Sequence, residues 1–317
     1  MHGVMTASAD SAEKARVHVL PQRRPLDGRV FFINRDCDAD RRVALESELL
    51  NAGITAERIS GVNGLDVPNS LRDFFFTHGK APTALRAGEV GCYASHLQAM
   101  QTIADRDLDF AVVLEDDAVL PPNFEDAVRT VLDAVPPSSW DIVLLYGTPT
   151  RAYKPVAPLG AQLGKVVRYS RVPSGTVAYL VNAKGARKFL RPRKIAWPID
   201  TDFRRPWEFG LEIFGVVPQL VSHSFELTSA IQELGGRARK RRGIPLPTFG
   251  SLTGNPLHSP RAVPYNIGRL GAASWLLFLT QNLQGRLIRA LKVKRITAWL
   301  VRDRVKASPP AKGAIAR

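Results

Sequence analysis

Residues 110–114 (FAVVL) form an unbroken apolar run that stops at three consecutive carboxylates, Glu115-Asp116-Asp117. Five apolar residues in a row suit a strand covered on both faces, and such strands belong to sheets with helices packed on either side. The abrupt change of polarity puts the carboxylates at the strand's carboxyl end, where open α/β sheets bind ligands. Adjacent carboxylates repel one another. A cation relieves that repulsion, and hard oxygen ligands suit Mg²⁺ or Mn²⁺ bridging to phosphates. The competing reading is a solvated acidic turn capping the next helix.

The flanking pattern agrees with an α/β chain. Residues 29–34 (RVFFIN) read as a strand, and Asp36, Asp38 and Asp40 are each able to cap a helix begun just after it. Ala44, Leu45, Glu48, Leu49 and Leu50 then fall at helical spacing before Gly53, and residues 56–60 read as a second strand. This is a βαβ unit, which implies parallel pairing with a right-handed crossover. A helix is expected over 89–104, and another from Pro121-Pro122 to Ala134. Buried strands are expected at 140–146 and 176–181, with a helix over 183–190. The expected fold is therefore α/β with a mostly parallel central sheet.

Charge divides the chain. The net charge is +15 over 317 residues, yet 237–317 hold 17 Lys/Arg against the single acid Asp303, while 1–236 hold 27 Lys/Arg and 28 Asp/Glu. A near-neutral domain thus carries a basic tail. The division drawn is a flexible extension at 1–28, the α/β domain at 29–236, a basic linker at 237–265, amphipathic helices at 266–306 and a disordered tail at 307–317. Within the helical part Leu276, Leu279, Leu283, Leu287 and Leu291 form one stripe, with Arg286, Arg289 and Lys292 opposite. The most apolar stretch, 271–279, is far shorter than the ~20 residues a spanning helix needs. The pattern suits an anionic membrane surface, with Trp275 and Trp299 at headgroup level; the alternative is a helix docked on the domain.

The first 28 residues lack an apolar core of signal-peptide length, so export is not expected. Only Cys37 and Cys92 are present, too few for a disulfide framework, and neither sits in a recognised metal-ligand spacing. Together these point to a cytoplasmic protein lying on the inner face of the cytoplasmic membrane. A nucleic-acid binder is disfavoured because the basic segments, Arg239-Lys-Arg-Arg242 included, carry no reader motif, and the acidic strand end would repel phosphate without a metal. A two-metal phosphohydrolase would need more His and Asp ligands than the six scattered histidines offer.

Several blocks in order, VFFINRDCDADRR, ERISGVNG, LRAGEVGCYASH, FAVVLEDDAVL, GTVAYLVNAKGARKFL and PIDTDF, resemble glycosyltransferase family 25, the lipopolysaccharide and lipooligosaccharide glycosyltransferases. EVGCYASH followed closely by LEDD is the specific part. Departures are INRD in place of the common INLD, and Ala118 where Val or Ile is common. The resemblance implies a GT-A fold, a nucleotide-sugar donor, usually UDP-galactose, and inversion at the anomeric carbon. It also implies that the EDD segment is the metal and diphosphate site.

On that reading Asp117 is the direct metal ligand, Glu115 a second, and Asp116 serves the donor ribose or a metal-bound water. His223, after the apolar run 214–221, would complete the shell from a later strand. Asn34 and Arg35, with Arg41 or Arg42, would face uridine and diphosphate. His96 has a donor-site role or a structural one. Glu89 stands beside amides facing phosphate, or serves as a first-turn dipole partner. Inverting transfer needs a base for the acceptor hydroxyl. Asp200 and Asp202 are the candidates, the resemblance favours Asp200, and both are equally able to cap the next helix. The acceptor would be a glycolipid or oligosaccharide.

Overall fold

A computed structural model describes residues 26–77, 85–148, 152–224 and 259–290, with side chains as far as 281 in the last segment. The elements run β1 (Val30–Asn34), α1 (Ala39–Asn51), β2 (Glu57–Ser60), α2 (Asn69–Phe75), α3 (Ala87–Asp105), β3 (Ala111–Glu115), β4 (Ala118–Val119), α4 (Phe124–Ala134) and β5 (Ile142–Leu144). They continue with β6 (Tyr153–Pro158), α5 (Gly160–Leu163), β7 (Lys165–Tyr169), β8 (Ala178–Val181), α6 (Ala183–Phe189), α7 (Ile199–Phe203), α8 (Pro206–Phe209), β9 (Ile213–Val217) and β10 (Ser222–His223). Two further helices come last, α9 (Ala262–Leu270) and α10 (Ala272–Ala290).

The main sheet has the order β2-β1-β3-β8-β5-β9-β7-β6. The βαβ start is as expected: β1 lies parallel to β2 and, on its other side, parallel to β3. Thereafter the sheet is mixed and departs from the mostly parallel expectation. β8 runs antiparallel between β3 and β5, and β7 antiparallel between β9 and β6. A buried strand has the same apolar composition in either direction, so the sequence pattern does not set its orientation.

Both faces of the sheet are covered. Phe31, Ala111 and Val113 enter a core shared with α2, α3, α6, α7 and α8. Their neighbours Val30, Phe32, Val112 and Leu114 enter a second core with α1 and α4. This alternation explains the uninterrupted apolar run, since each residue meets one helical layer or the other. α3 is buried along nearly its whole length and is built largely from small residues at its start, Ala87, Gly88, Gly91 and Ala94. Those residues let backbone approach backbone: a Cβ on Gly64 would lie 1.8 Å from the Ala87 carbonyl oxygen, and one on Gly91 2.4 Å from that of Val62. Ser95 adds a hydrogen bond from the Val62 N–H at 2.8 Å. The loop after β2 is therefore seated on the first turns of α3.

The domain boundary expected between 265 and 266 falls inside α9, which is docked. Leu270 is buried. The Tyr265 hydroxyl donates to the Leu211 carbonyl at 2.6 Å, and Arg261 and Arg269 pair with Glu208 and Glu212. Arg168 and Lys154 donate to the carbonyls of Arg269 and Leu270, cations at the helix end that favours them. Two charges of the basic segment thus serve docking. Beyond Gly271, α10 exposes Leu276, Leu277 and Leu279. Among the described residues no helix is long and apolar enough to cross a membrane. The expectations for 1–25, for 237–258 and for 291–317 lie outside the described residues, as do the side chains of Leu283, Arg286, Leu287 and Arg289.

Candidate active site

Parallel pairing brings the carboxyl ends of β1, β2 and β3 to one edge, and a cavity of about 470 Å³ opens there. Its wall includes Asn34, Arg35, Arg41, Gly64, Gly88, Cys92, His96 and all three carboxylates, Glu115, Asp116 and Asp117. The turn that carries the carboxylates is pinned from the other end of the chain. β4 pairs antiparallel with β10, setting His223 opposite Ala118, and the Ser224 N–H donates to the Asp117 carbonyl at 2.9 Å.

The three carboxylates have different environments. Asp116 is buried and fully engaged: Asn34 Nδ2 donates to Oδ2 at 2.8 Å, and Arg41 Nε donates to Oδ1 at 2.8 Å. Asn34 and Arg41, expected to face uridine and diphosphate, line the cavity and also hold the acidic turn. Asp116, expected at the donor ribose or a metal-bound water, also lines the cavity. Glu115 accepts from the Thr176 hydroxyl and lies 3.3 Å from His96 Nε2. Burial would raise the Glu115 carboxyl, but His96, Thr176 and Arg41 outweigh it and hold its pKa below the ordinary value. Asp117 is pushed the other way. Burial and the neighbouring Glu115 charge raise it to about 6, against the pull of Arg41. Its Oδ1 is buried with no hydrogen-bond partner.

That orphaned oxygen is the test of whether a divalent cation fits. A buried carboxylate oxygen without a donor is costly, and a hard cation satisfies it while cancelling the repulsion from Glu115. Asp117 meets this requirement. His223 is set beside it by the β4–β10 pairing, and its Nδ1 lies 3.0 Å from the Tyr146 hydroxyl, an outer contact that orients the ring.

The other expected residues divide. Arg35 lines the cavity and forms a two-point contact with Asp38. Arg42 lies outside the cavity lining, 3.9 Å from Glu46 one helical turn away. Glu89 takes part in the cap of α3, accepting from the Arg86 N–H at 3.0 Å. Asp202 is buried between the Tyr93 hydroxyl at 2.8 Å and Arg205 at 2.9 Å; burial raises its pKa, and both oxygens are engaged. Asp200 is half-buried, accepts from the Ser174 hydroxyl, and its charge acts on Cys92 in the cavity wall together with those of Glu115 and Asp117.

Sequence reasoning missed Cys92, although it stands one helical turn before His96 on α3. An i, i+4 pair shares a helix face, and that spacing was the available signal. Thr176, Tyr146 and Tyr179 carried no local signal, since only the assembled sheet brings them to the site.

The pattern of glycosyltransferase family 25, described as an LPS biosynthesis protein family, matches residues 28–203. Procollagen galactosyltransferase 1-B of Xenopus laevis is 26% identical over 197 residues, covering 58% of this chain and 31% of that protein. The human inactive glycosyltransferase 25 family member 3 is 27% identical over 216 residues, 63% of this chain and 36% of its own length. A glycosyltransferase 25 family member of Aedes aegypti is 25% identical over 211 residues, 63% and 34%. The chain spans about a third of the length of these curated relatives. Because the matched segment exceeds half of the 317 residues and contains the β1, α3 and acidic-turn elements that build the cavity, the chain belongs to glycosyltransferase family 25.

Proposed function

We propose that this protein is a glycosyltransferase that moves galactose from UDP-galactose to a glycolipid or oligosaccharide acceptor of the bacterial surface, with inversion. The observation that carries the reading is the unpartnered, buried Asp117 oxygen at a strand end that opens on the cavity. Relatives named as galactosyltransferases support the sugar, and the family's description as LPS biosynthesis proteins supports the acceptor.

In this reading Asp117 holds Mn²⁺ or Mg²⁺, with His223 and Glu115 as its neighbours. When bound, the ion neutralises charge developing on the departing UDP. Asp116, clamped by Asn34 and Arg41, fixes the turn that presents Asp117. Arg35 and the amide end of α3 at Gly88 are the groups suited to a diphosphate. Asp200, held by Ser174, takes the acceptor hydroxyl proton. The exposed Leu276, Leu277 and Leu279 of α10, with the basic residues beyond them in the chain, support a location on an anionic membrane surface, the inner face of the cytoplasmic membrane.

The test is a panel of nucleotide-sugars assayed for Mn²⁺-dependent binding and slow hydrolysis, which needs no acceptor. UDP-galactose is expected to give both. Binding of no nucleotide-sugar, with or without metal, would refute the reading; the family includes members named as inactive, so turnover has to be measured.

A further inference from the structure

We infer that Cys92, His96 and Glu115 form a binding site for a borderline-soft divalent cation of the zinc class, distinct from the oxygen ligand at Asp117. Sγ of Cys92, a ring nitrogen of His96 and a carboxylate oxygen of Glu115 all lie within 4.8 Å of one another. Two come from one face of α3 and the third from the end of β3, so the set is fixed by a helix and a sheet rather than by a loop.

The geometry around His96 is the strongest argument. The ring is almost fully buried, and Nε2 faces Glu115 Oε1 at 3.3 Å, an ion-pair distance, without meeting hydrogen-bond geometry. Two ligands each about 2.0–2.1 Å from a tetrahedral zinc stand about 3.3–3.4 Å apart, so this spacing is that of two corners of one coordination sphere. The other ring nitrogen, Nδ1, is 2.9 Å from the Tyr179 hydroxyl, and Glu115 also accepts from Thr176. Both ligands therefore have the outer-shell contacts that orient metal-binding imidazoles and carboxylates. Mixed sulfur, nitrogen and oxygen donors favour zinc over Mg²⁺ or Mn²⁺. All three residues line the cavity, which leaves the fourth corner open to water or a substrate oxygen. On binding, the Zn–S bond forms as the Cys92 thiol proton leaves to solvent, with no change of oxidation state. Glu115 is also a neighbour of the ion proposed at Asp117, so the two sites adjoin, but the zinc-class site does not require the transfer reaction.

Cobalt(II) titrated into the metal-stripped full-length chain is the probe. One equivalent is expected to give the near-ultraviolet sulfur-to-metal absorption and the strong visible bands of a tetrahedral site, removed stoichiometrically by Zn²⁺. Cys92→Ser and His96→Ala should lose the sulfur absorption or the tetrahedral bands, while Cys37→Ser and Asp117→Asn keep both. X-ray absorption on the zinc-loaded wild type should show one sulfur at about 2.3 Å among nitrogen and oxygen neighbours at about 2.0–2.1 Å, a result that needs no variant to fold. Weak octahedral bands alone, sulfur absorption that survives in Cys92→Ser or vanishes in Cys37→Ser, or a sulfur-free zinc shell would overturn the inference. Bands kept in Asp117→Asn while its nucleotide-sugar turnover is lost would separate this site from the transfer chemistry.

Discussion

Replacing Asp117 by Asn should make the metal-free protein more stable while abolishing metal-dependent turnover. The reason is the cost of an ionised Asp117 beside Glu115. Its pKa is raised from the ordinary 3.8 to about 6, chiefly by burial and then by the Glu115 charge. At roughly 1.4 kcal/mol per pH unit, that shift of about two units corresponds to about 2–3 kcal/mol of native-state destabilisation at neutral pH. The sign comes from proton binding. Between about pH 4 and pH 6 the folded protein holds a proton on Asp117 that the unfolded chain has released, so wild-type stability falls as pH rises through that window. Above it the whole penalty remains. An amide side chain at this position cannot ionise and escapes it. Urea unfolding of both proteins at pH 4.5 and pH 7.5, without divalent metal, should show an advantage for Asp117→Asn of only about 1 kcal/mol at the lower pH and about 2–3 kcal/mol at the higher. Adding Mn²⁺ should stabilise the wild type and leave the variant unchanged. A variant no more stable than wild type at pH 7.5, or a difference that ignores pH, would refute the electrostatic account of the cluster.

Asp200→Asn should retain donor binding and lose transfer by about 10²–10⁴-fold, as read by UDP-sugar titration and acceptor turnover; equal loss of binding would remove it from the role of base. Asp202→Ala should instead lower stability by about 3–5 kcal/mol, because it leaves Arg205 and Tyr93 without their buried acceptor; a normal unfolding midpoint would contradict its structural role. Gly91→Ala should dislodge the loop after β2 from α3, since its Cβ would meet the Val62 carbonyl oxygen at 2.4 Å; a thermal melt within a degree of wild type would show that the contact yields freely. Truncation after Gly271 keeps the docked α9 and removes ten Lys/Arg and one Asp together with the exposed leucines. It should release the protein from anionic liposomes while preserving donor binding, and equal sedimentation of both forms would end the membrane proposal.

Much of the half that holds the cavity was legible in the sequence because its signals are local. The apolar run before Glu115 had to be a strand covered on both faces, and the βαβ start fixed parallel pairing of β1 with β2. The position of the acidic turn at a ligand-binding edge is a consequence of those two facts. His223, expected from a later strand to complete a metal shell, lies on β10, which pairs with β4 just after the acidic turn. Direction in the rest of the sheet was not legible, since β8 and β7 have the composition of any buried strand and only hydrogen bonding to their neighbours sets their orientation.

Tertiary structure alone decided what each polar residue does. Glu115, Asp116 and Asp117 are chemically near-equivalent in sequence, yet Asn34 and Arg41 immobilise one, His96 and Thr176 hold another ionised, and the third keeps an unpartnered oxygen. Asp200 and Asp202 are two residues apart on a short helix, so one turns toward Ser174 near the surface and the other into the buried Tyr93–Arg205 contact. Sequence patterns report periodicity, which fixes faces and strand ends. Partnership depends on side chains brought together from positions distant in the chain, Tyr93 and Asp202 among them, and at this site those partners determine charge, protonation and ligand capacity.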